Sequence, residues 1–233
     1  MTLGEKFEHL VAIMARLRSA TGCIWDRQQT HASLRQYLLE EAYEVLEAID
    51  QEDYAELGKE LGDLLLQVVF HAQIAHEHGR FDIATVIENI SEKMMRRHPH
   101  VFGDEKVASV AEQKLRWEEL KKQEGKQSVI DGVPKALPAL QRAARLQQKA
   151  NVAVLSREQL RQRWEEFHSA NTDHASHAAN AQNAYGDLLF ALVSFGRGLE
   201  LNAEDALREA CERFVDTAYT HERKRRLKQA LGL

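Results

Sequence analysis

Residues 64–75 constrain the fold of this chain more than any other stretch. They read LLLQVVFHAQIA, a segment that is apolar on nearly every side when it is wound into a helix. Helices of this kind lie buried inside proteins. Glu60 and Asp63 begin the same helix, on the stripe that Gln67 and Phe70 continue. Because an acidic side chain on a buried stripe needs compensation, the stretch predicts a partner or a metal ion beside these two acids.

A second pair of acids, Glu41 and Glu44, precedes this helix. The members of each pair are three residues apart, so both carboxylates of a pair lie on one face of a helix. The polar residues 48–54 between the pairs predict the turn of a helical hairpin. The pairs lie about equally far from the turn and, at roughly 1.5 Å of rise per residue, they would meet at one height.

Four converging carboxylates repel one another unless a cation neutralises them. Oxygen ligands without Cys or His nearby suit Mg²⁺, or Mn²⁺ as a substitute, better than zinc. The alternative is a solvated helix face, and the apolar residues Leu38, Ala42 and Val45 opposite the first pair agree with that alternative. The buried character expected of the second helix favours the metal site.

Residues 19–30 form a predicted loop that could contact a nucleotide base. Gly22 breaks the first helix and is followed by Trp25, Asp26 and Gln29, whose side chains are able to stack on a base and hydrogen-bond it. Trp25 could equally plug the helical hairpin. The composition of the loop does not separate the two interpretations.

Basic residues lie on two later helices. Lys93 and Arg97 occupy the last turns of a helix that Pro99 ends. The helix macrodipole alone favours cations there, whereas a metal-bound polyphosphate would need such groups nearby. Trp117 and Lys121 are four residues apart and share one face of the next helix.

The overall composition fits a soluble helical protein. Of 233 residues, 44% are hydrophobic and 29% are charged, which is enough for one large domain or two small ones. The net charge of −5 gives no general attraction to nucleic acid or to an acidic membrane, so we expect neither as a partner. Cys23 and Cys211 match no zinc spacing, and no segment approaches the length of a membrane span. The N-terminal residues do not show the pattern of a signal peptide. We therefore expect a cytoplasmic protein.

Residues 125–137 are the best candidate for a linker, because glycine and proline recur there among polar residues. We therefore expect a first domain at residues 1–124 and a second at residues 138–233.

The sequence of the second domain resembles a degenerate repeat of the first. Gly186 and Asp187 begin an apolar helix as Gly62 and Asp63 do, but Ala184 stands where Glu60 stood. Too few acids remain for an all-protein carboxylate site. We predict that the second copy is structural and inactive.

Several motifs occur in an order that resembles the MazG nucleoside triphosphate pyrophosphohydrolases: Gly22-Cys23-x-Trp25-Asp26, Glu40-Glu41-x-x-Glu44, Glu60-x-x-Asp63 and the run from Arg96 to Phe102. The resemblance extends over most of residues 5–124 and more weakly over 138–220. It implies an all-α fold of tandem MazG-like helical repeats with a four-helix-bundle core, assembled as a homodimer. It also implies Mg²⁺-dependent hydrolysis of ribo- and deoxyribonucleoside triphosphates to monophosphate and pyrophosphate, a house-cleaning of the nucleotide pool.

The resemblance also implies roles for residues at the motif positions. The metal ligands would be Glu41, Glu44, Glu60 and Asp63, with Glu40 binding a further metal or orienting water. The nucleotide and its phosphates would be held by Lys93, Arg97, Trp117 and Lys121, with Trp25, Asp26 and Gln29 in the base-contacting loop.

Two departures from the family pattern matter. Ile24 replaces the proline usual before Trp25, which would loosen the loop. In the second copy, Thr217 stands where a phosphate-binding arginine is expected. The degenerate half and a basic C-terminal tail leave open a non-catalytic nucleotide-sensing or toxin–antitoxin-linked regulator. A di-iron carboxylate bundle would need Glu-x-x-His pairs, which are not the pairs found here.

Overall fold

The computed structural model describes residues 1–103, 109, 112–113, 116, 128–170 and 177–230. These residues form ten helices and no strand, which confirms the predicted all-α fold. In chain order the helices are α1 (Leu3–Leu17), α2 (Ile24–Gln28), α3 (Arg35–Asp50), α4 (Tyr54–Glu77), α5 (Ile83–Arg97), α6 (Pro99–Phe102), α7 (Ala139–Lys149), α8 (Arg157–Ala170), α9 (His177–Gly198) and α10 (Ala203–Ala230). None of these helices has the length and apolar character needed to cross a membrane.

Helices α3 and α4 form the predicted antiparallel hairpin. Asp53 caps the start of α4, because its carboxylate accepts hydrogen bonds from the backbone amides of Ala55 and Glu56, both at 3.0 Å. Glu52 closes the turn in the left-handed region, with a φ of 54°. A turn this short sets the register of the two helices, and the register decides which side chains meet across the hairpin.

The first compact unit, Met1–Trp117, is organised around a core to which α1, α3, α4 and α5 contribute. The buried residues and the partly buried residues packed on them include Met14, Leu34, Val69, Phe70, Ile74, Tyr37 and Ile83. Gln67 and Phe70, predicted to lie on a buried stripe, are 5% and 3% exposed. The unit therefore has the four-helix core that the family resemblance implied.

Helix α4 buries one side against the described residues and exposes apolar residues on another. The prediction that nearly every side of this helix is buried was therefore wrong for the single chain. Leu61, Leu65 and Val68 are 49%, 40% and 38% exposed. Helix α3 also exposes Leu39 and Tyr43. We call these five residues the apolar surface of the hairpin.

The second compact unit, Glu118–Leu233, again pairs one helix with a longer apolar one. Helix α8 packs against α9, and α7 and α10 also contact α9. Gln147 of α7, which is 1% exposed, donates to the Phe190 carbonyl at 2.8 Å and accepts from Arg197 at 3.2 Å. Because both ends of this buried amide are hydrogen-bonded, it ties α7 to α9 without leaving a polar atom unpaired.

The unit boundary after Trp117 precedes the linker predicted at residues 125–137. Residues 117–127 lie outside the described part of the chain. The linker and the domain limits drawn from it stay predictions.

Candidate functional site

Three carboxylates converge where the hairpin brings α3 and α4 together. Glu41 extends from α3, and Glu60 and Asp63 extend from the first turns of α4. One carboxylate oxygen from each of the three lies within 4.8 Å of the other two. Glu41 and Glu60 are half-buried, whereas Asp63 is exposed. We call these three residues the carboxylate cluster.

Glu44 adjoins the carboxylate cluster, one turn along α3 from Glu41. Burial is the largest cause that raises the pKa of both Glu41 and Glu60, and the charge of Glu44 raises both further. Glu40 is exposed and lies outside the cluster. The hairpin thus gathers three of the four predicted ligands with the fourth beside them, and their ligand roles stay predictions.

The electrostatics of the cluster favour a bound cation. Burial raises the pKa of Glu41, and the charges of Asp63 and Glu44 raise it further. Partial desolvation and the charge of Glu44 raise the pKa of Glu60. A positive charge beside the cluster would offset this repulsion and favour the ionised carboxylates. Its donors are all carboxylate oxygens, and this donor set fits Mg²⁺ or Mn²⁺.

The described side chains of the second unit hold no comparable cluster. Its corresponding acids lie on α8 and pair with arginines of the same helix. Glu165 accepts from Arg161 at 3.0 Å, and Glu166 accepts from Arg163 at 2.8 Å. With their charges compensated inside one helix, these acids do not require a metal ion.

The predicted base-contacting loop contains the short helix α2. Trp25 is 49% exposed and meets the Tyr37 ring edge-on, with the ring centres 5.9 Å apart. Half of the indole surface thus remains accessible for stacking. The Gln29 side chain instead bonds within the loop, donating to the Trp25 carbonyl at 3.1 Å and accepting from Ser33 at 2.7 Å. Gln29 therefore supports the loop, and its predicted contact with a base stays a prediction.

Arg18 holds this loop against α4. Its guanidinium, 5% exposed, donates to both carboxylate oxygens of Glu77, at 2.8 and 2.7 Å. It also donates to the backbone carbonyls of Asp26 and Gln29, and it lies 5.4 Å from the centre of the Phe70 ring. Hydrogen bonding to Arg18 lowers the pKa of Glu77. Two carbonyls near the end of α2 thus depend on one buried side chain.

Gly22 shapes the start of the same loop. Its amide donates to the Ser19 carbonyl at 2.9 Å, and the Cys23 amide donates to the Leu17 carbonyl at 2.8 Å. A Cβ atom at position 22 would collide with the carbonyl oxygens of Arg16 and Leu17. Glycine is therefore required by close approach of the backbone.

Replacing Ile24 with proline should stabilise the protein. Ile24 is the first residue of α2 and is 73% exposed, and the preceding Cys23 is extended, with φ −72° and ψ 130°. Both positions suit proline, which restricts mainly the unfolded chain. We expect Ile24→Pro to raise the free energy of unfolding by about 0.4–1 kcal/mol in urea titrations. Ile24→Ala is the control for the lost side chain, and a proline variant less stable than that control would contradict the expectation.

The predicted phosphate-binding residues are only partly described. Lys93 and Arg97 are half-buried, one turn apart on α5, which packs against α4. Trp117 and Lys121 lie outside the described residues. The predicted phosphate contacts of Lys93 and Arg97 rest on the family resemblance.

Comparison with known proteins identifies relatives that match most of the chain. A family model described as the MazG nucleotide pyrophosphohydrolase domain matches residues 29–102. The Thermotoga maritima protein named nucleoside triphosphate pyrophosphohydrolase/pyrophosphatase MazG is 44% identical over 218 residues, covering 91% of this chain and 84% of the relative. The Escherichia coli K12 protein named nucleoside triphosphate pyrophosphohydrolase is 43% identical over 226 residues, covering 90% and 84%.

A solved structure is also similar to part of the chain. It is the crystal structure of a mazG-related protein from Thermotoga maritima, with 33% identity and a TM-score of 0.43. The match covers 49% of this chain and 98% of the solved one. The carboxylate cluster lies inside the residues that the family model matches, whereas Trp25 and Asp26 precede them.

Proposed function

The chain belongs to the MazG family of nucleoside triphosphate pyrophosphohydrolases, and on this basis we propose that its first unit hydrolyses nucleoside triphosphates to monophosphate and pyrophosphate. The observation that supports the proposal most directly is the carboxylate cluster, with three ligand oxygens within 4.8 Å of one another. We propose Mg²⁺ as the cation, with Mn²⁺ as a substitute.

In the proposed reaction, the chain supplies ligands, orientation and a base-stacking surface. Glu41, Glu60 and Asp63 hold the cation, with Glu44 as the adjoining fourth carboxylate. When bound, the cation neutralises phosphate charge and favours ionisation of a nearby water. Glu40 orients the attacking water. The water gives a proton to the solvent as its oxygen bonds to the α-phosphorus, the bond from that phosphorus to the α,β-bridging oxygen breaks, and pyrophosphate leaves.

Product identification tests the proposal. The purified chain is incubated with Mg²⁺ and a panel of ribo- and deoxyribonucleoside triphosphates, including oxidised bases, and phosphorus products are resolved by ³¹P NMR. We expect monophosphate and pyrophosphate in equal amounts. Release of orthophosphate alone would disprove the proposal. Binding of nucleotide without turnover would identify the nucleotide-sensing regulator instead.

The proposed substrates also indicate a biological role and a location. Hydrolysis of unwanted triphosphates removes them before a polymerase can use them, which is the house-cleaning role. We place this activity in the cytoplasm, where the free cysteines Cys23 and Cys211 would stay reduced.

We further propose that the chain forms a homodimer through the apolar surface of the hairpin. Leu61, Leu65 and Val68 lie on one face of α4, and exposed apolar patches mark protein interfaces. Gly58 and Gly62 follow the same side of α4 as Leu61 and Leu65, and outside the backbone of α4 itself no atom of the described residues lies within 4 Å of a Cβ built at either glycine. A partner helix could therefore approach the α4 backbone closely. Leu65→Asp should convert the dimer to a monomer in light scattering, and a chain that is monomeric without any substitution would refute the proposal.

Removal of the Arg18 side chain should weaken nucleotide binding more than it slows the chemical step. The carbonyls of Asp26 and Gln29 would lose hydrogen bonds from a charged donor, each worth about 1.5–3 kcal/mol. We expect Arg18→Met to raise KM by about tenfold or more, with kcat changed less than about twofold. Steady-state kinetics on the best substrate measure both constants.

Two further variants make this result interpretable. Arg16→Met removes an exposed arginine from the last turn of α1, which ends just before Arg18, and should leave KM unchanged. Arg18→Met leaves the Glu77 carboxylate without its ion-pair partner, which by itself lowers stability. The double variant Arg18→Met/Glu77→Met removes that carboxylate as well, so a raised KM that remains in it is due to displacement of the loop. An Arg18→Met enzyme with lowered kcat and unchanged KM would contradict a positioning role.

A further inference from the structure

His71 of α4 contacts the turn that follows the predicted base-contacting loop. Its Nδ1 atom lies 2.8 Å from Nδ1 of His31, a residue 40 positions away in the sequence. His71 is half-buried, whereas His31 is exposed. Burial and the neighbouring His31 lower the pKa of His71, so its ring is neutral near pH 7 and able to share one hydrogen bond with His31.

The geometry of the two histidine rings suits a hydrogen bond. The angle between their planes is 6°, and their centres are 5.1 Å apart. This separation matches the distance between the two Nδ1 atoms plus the radii of two five-membered rings, so both nitrogens lie close to the line that joins the ring centres. The rings therefore meet edge to edge in nearly one plane. An N–H in the plane of one ring then points at the lone pair of the other.

His31 belongs to a turn that is bonded to the base-contacting loop. The Thr30 amide donates to Oγ of Ser33 at 2.9 Å, and the Ser33 amide donates to Oγ1 of Thr30 at 3.1 Å. The Ser33 hydroxyl also donates to the side-chain oxygen of Gln29 at 2.7 Å, and the Gln29 side-chain amide donates to the Trp25 carbonyl at 3.1 Å. Observed hydrogen bonds and the backbone of the turn thus connect His31 to Trp25.

We propose that His71 is a positioning residue for Trp25, acting through its hydrogen bond with His31. The histidine pair holds the turn against α4, and the turn holds Gln29 against the Trp25 backbone. The accessible half of the indole then stays where a base can stack on it. Arg18 holds the same loop separately, at two backbone carbonyls. The inference rests on the proposed function only in taking Trp25 as a base-contacting residue.

Hydrogen exchange of the nucleotide-free protein, followed by NMR, tests whether the histidine pair holds the turn. His31→Leu removes the hydrogen bond at an exposed position, so this variant should fold. The amides of Thr30 and Ser33 should exchange about 2- to 10-fold faster than in the unaltered chain, the factor that one hydrogen bond supplies. His71→Leu should give a similar increase. The double variant His31→Leu/His71→Leu should add nothing to it, because both changes remove one contact.

Steady-state kinetics on the best substrate test whether the turn positions Trp25. His71→Leu should raise KM by about 2- to 10-fold and change kcat less than about twofold. His71→Asn should bring KM back to within about twofold of the unaltered chain, because its amide lies near the position of Nδ1 and can either donate to His31 or accept from it. His76→Leu removes an exposed histidine from the same helix and should leave KM unchanged.

Two results would overturn the inference. One is unchanged exchange of the Thr30 and Ser33 amides in folded His31→Leu. The other is faster exchange with an unchanged KM, since the histidine pair would then support the fold alone. The exchange measurement uses neither nucleotide nor turnover, so failure of the nucleotide panel and failure of this inference are distinguishable.

Discussion

Glu60→Gln should hydrolyse nucleoside triphosphates about 10³-fold more slowly than the unaltered chain. A neutral amide removes one charged ligand from the carboxylate cluster, and the cation held there supplies several kcal/mol of transition-state stabilisation. Each 1.36 kcal/mol of lost transition-state stabilisation slows the reaction tenfold, so losing most of this contribution slows it about 10³-fold. Single-turnover assays with saturating Mg²⁺ measure the rate of hydrolysis. Glu41→Gln and Asp63→Asn should lower that rate by a similar factor.

The second unit offers the matched control. Glu166→Gln makes the same change on α8, where the carboxylate accepts from Arg163. We expect unchanged turnover, since that acid has no part in the cluster. Equal losses from Glu60→Gln and Glu166→Gln would show that both units contribute to catalysis, contrary to the assignment made here.

Metal-free protein should lose stability as the pH rises above 4.5, and Mg²⁺ should restore it. The folded-state pKa values of Glu41 and Glu60 are raised from 4.5. In that range the folded chain binds more protons than the unfolded chain, so the stabilising contribution is complete below pH 4.5 and disappears as the pH passes the raised values. A cation at a hundred times its Kd adds about 2.7 kcal/mol to the free energy of unfolding.

Urea unfolding between pH 4 and 8, in EDTA and in Mg²⁺, measures both effects. The lowered pKa of His71 acts in the opposite direction, because its contribution to stability grows as the pH rises towards 6.5, whereas the lowered pKa of Glu77 changes stability only below pH 4.5. The difference between the unaltered chain and Glu41→Gln isolates the cluster. In EDTA, Glu41→Gln should become the more stable protein towards pH 8. A difference that does not vary with pH would exclude repulsion within the cluster.

The convergence of Glu41, Glu60 and Asp63 could be predicted because it depends on local quantities. Helical spacing places each pair on one face, and the length of the turn sets the register of α3 against α4. No long-range contact enters the argument. The family resemblance was equally accessible, since its motifs are short and ordered along the chain.

Non-local contacts could not be read from the sequence. Arg18 and Glu77 are 59 residues apart, and nothing in either neighbourhood points to the other. Gln67 was recognised as polar on an apolar stripe, but the burial of its side chain depends on how the helices pack. Local hydrogen bonding also affects the start of α3. Ser33 bonds Gln29 and Thr30, and the helix begins at Arg35 without a side-chain cap.

The exposed side of α4 has a different cause. Apolar residues such as Leu61 and Leu65 predict burial, but a sequence does not distinguish burial inside one chain from burial against a second one. In the proposed dimer, Leu61 and Leu65 would be buried against the partner chain, as their apolar side chains predict.

The compensated acids of α8 have a practical consequence. In addition to its candidate metal centre, each molecule carries a second helix, α8, whose carboxylates form ion pairs with Arg161 and Arg163. Any spectroscopic change that metal titration produces around Glu41 can therefore be compared with the signals of Glu165 and Glu166 in the same sample. The chain supplies its own internal reference for separating specific metal binding from general effects of ionic strength.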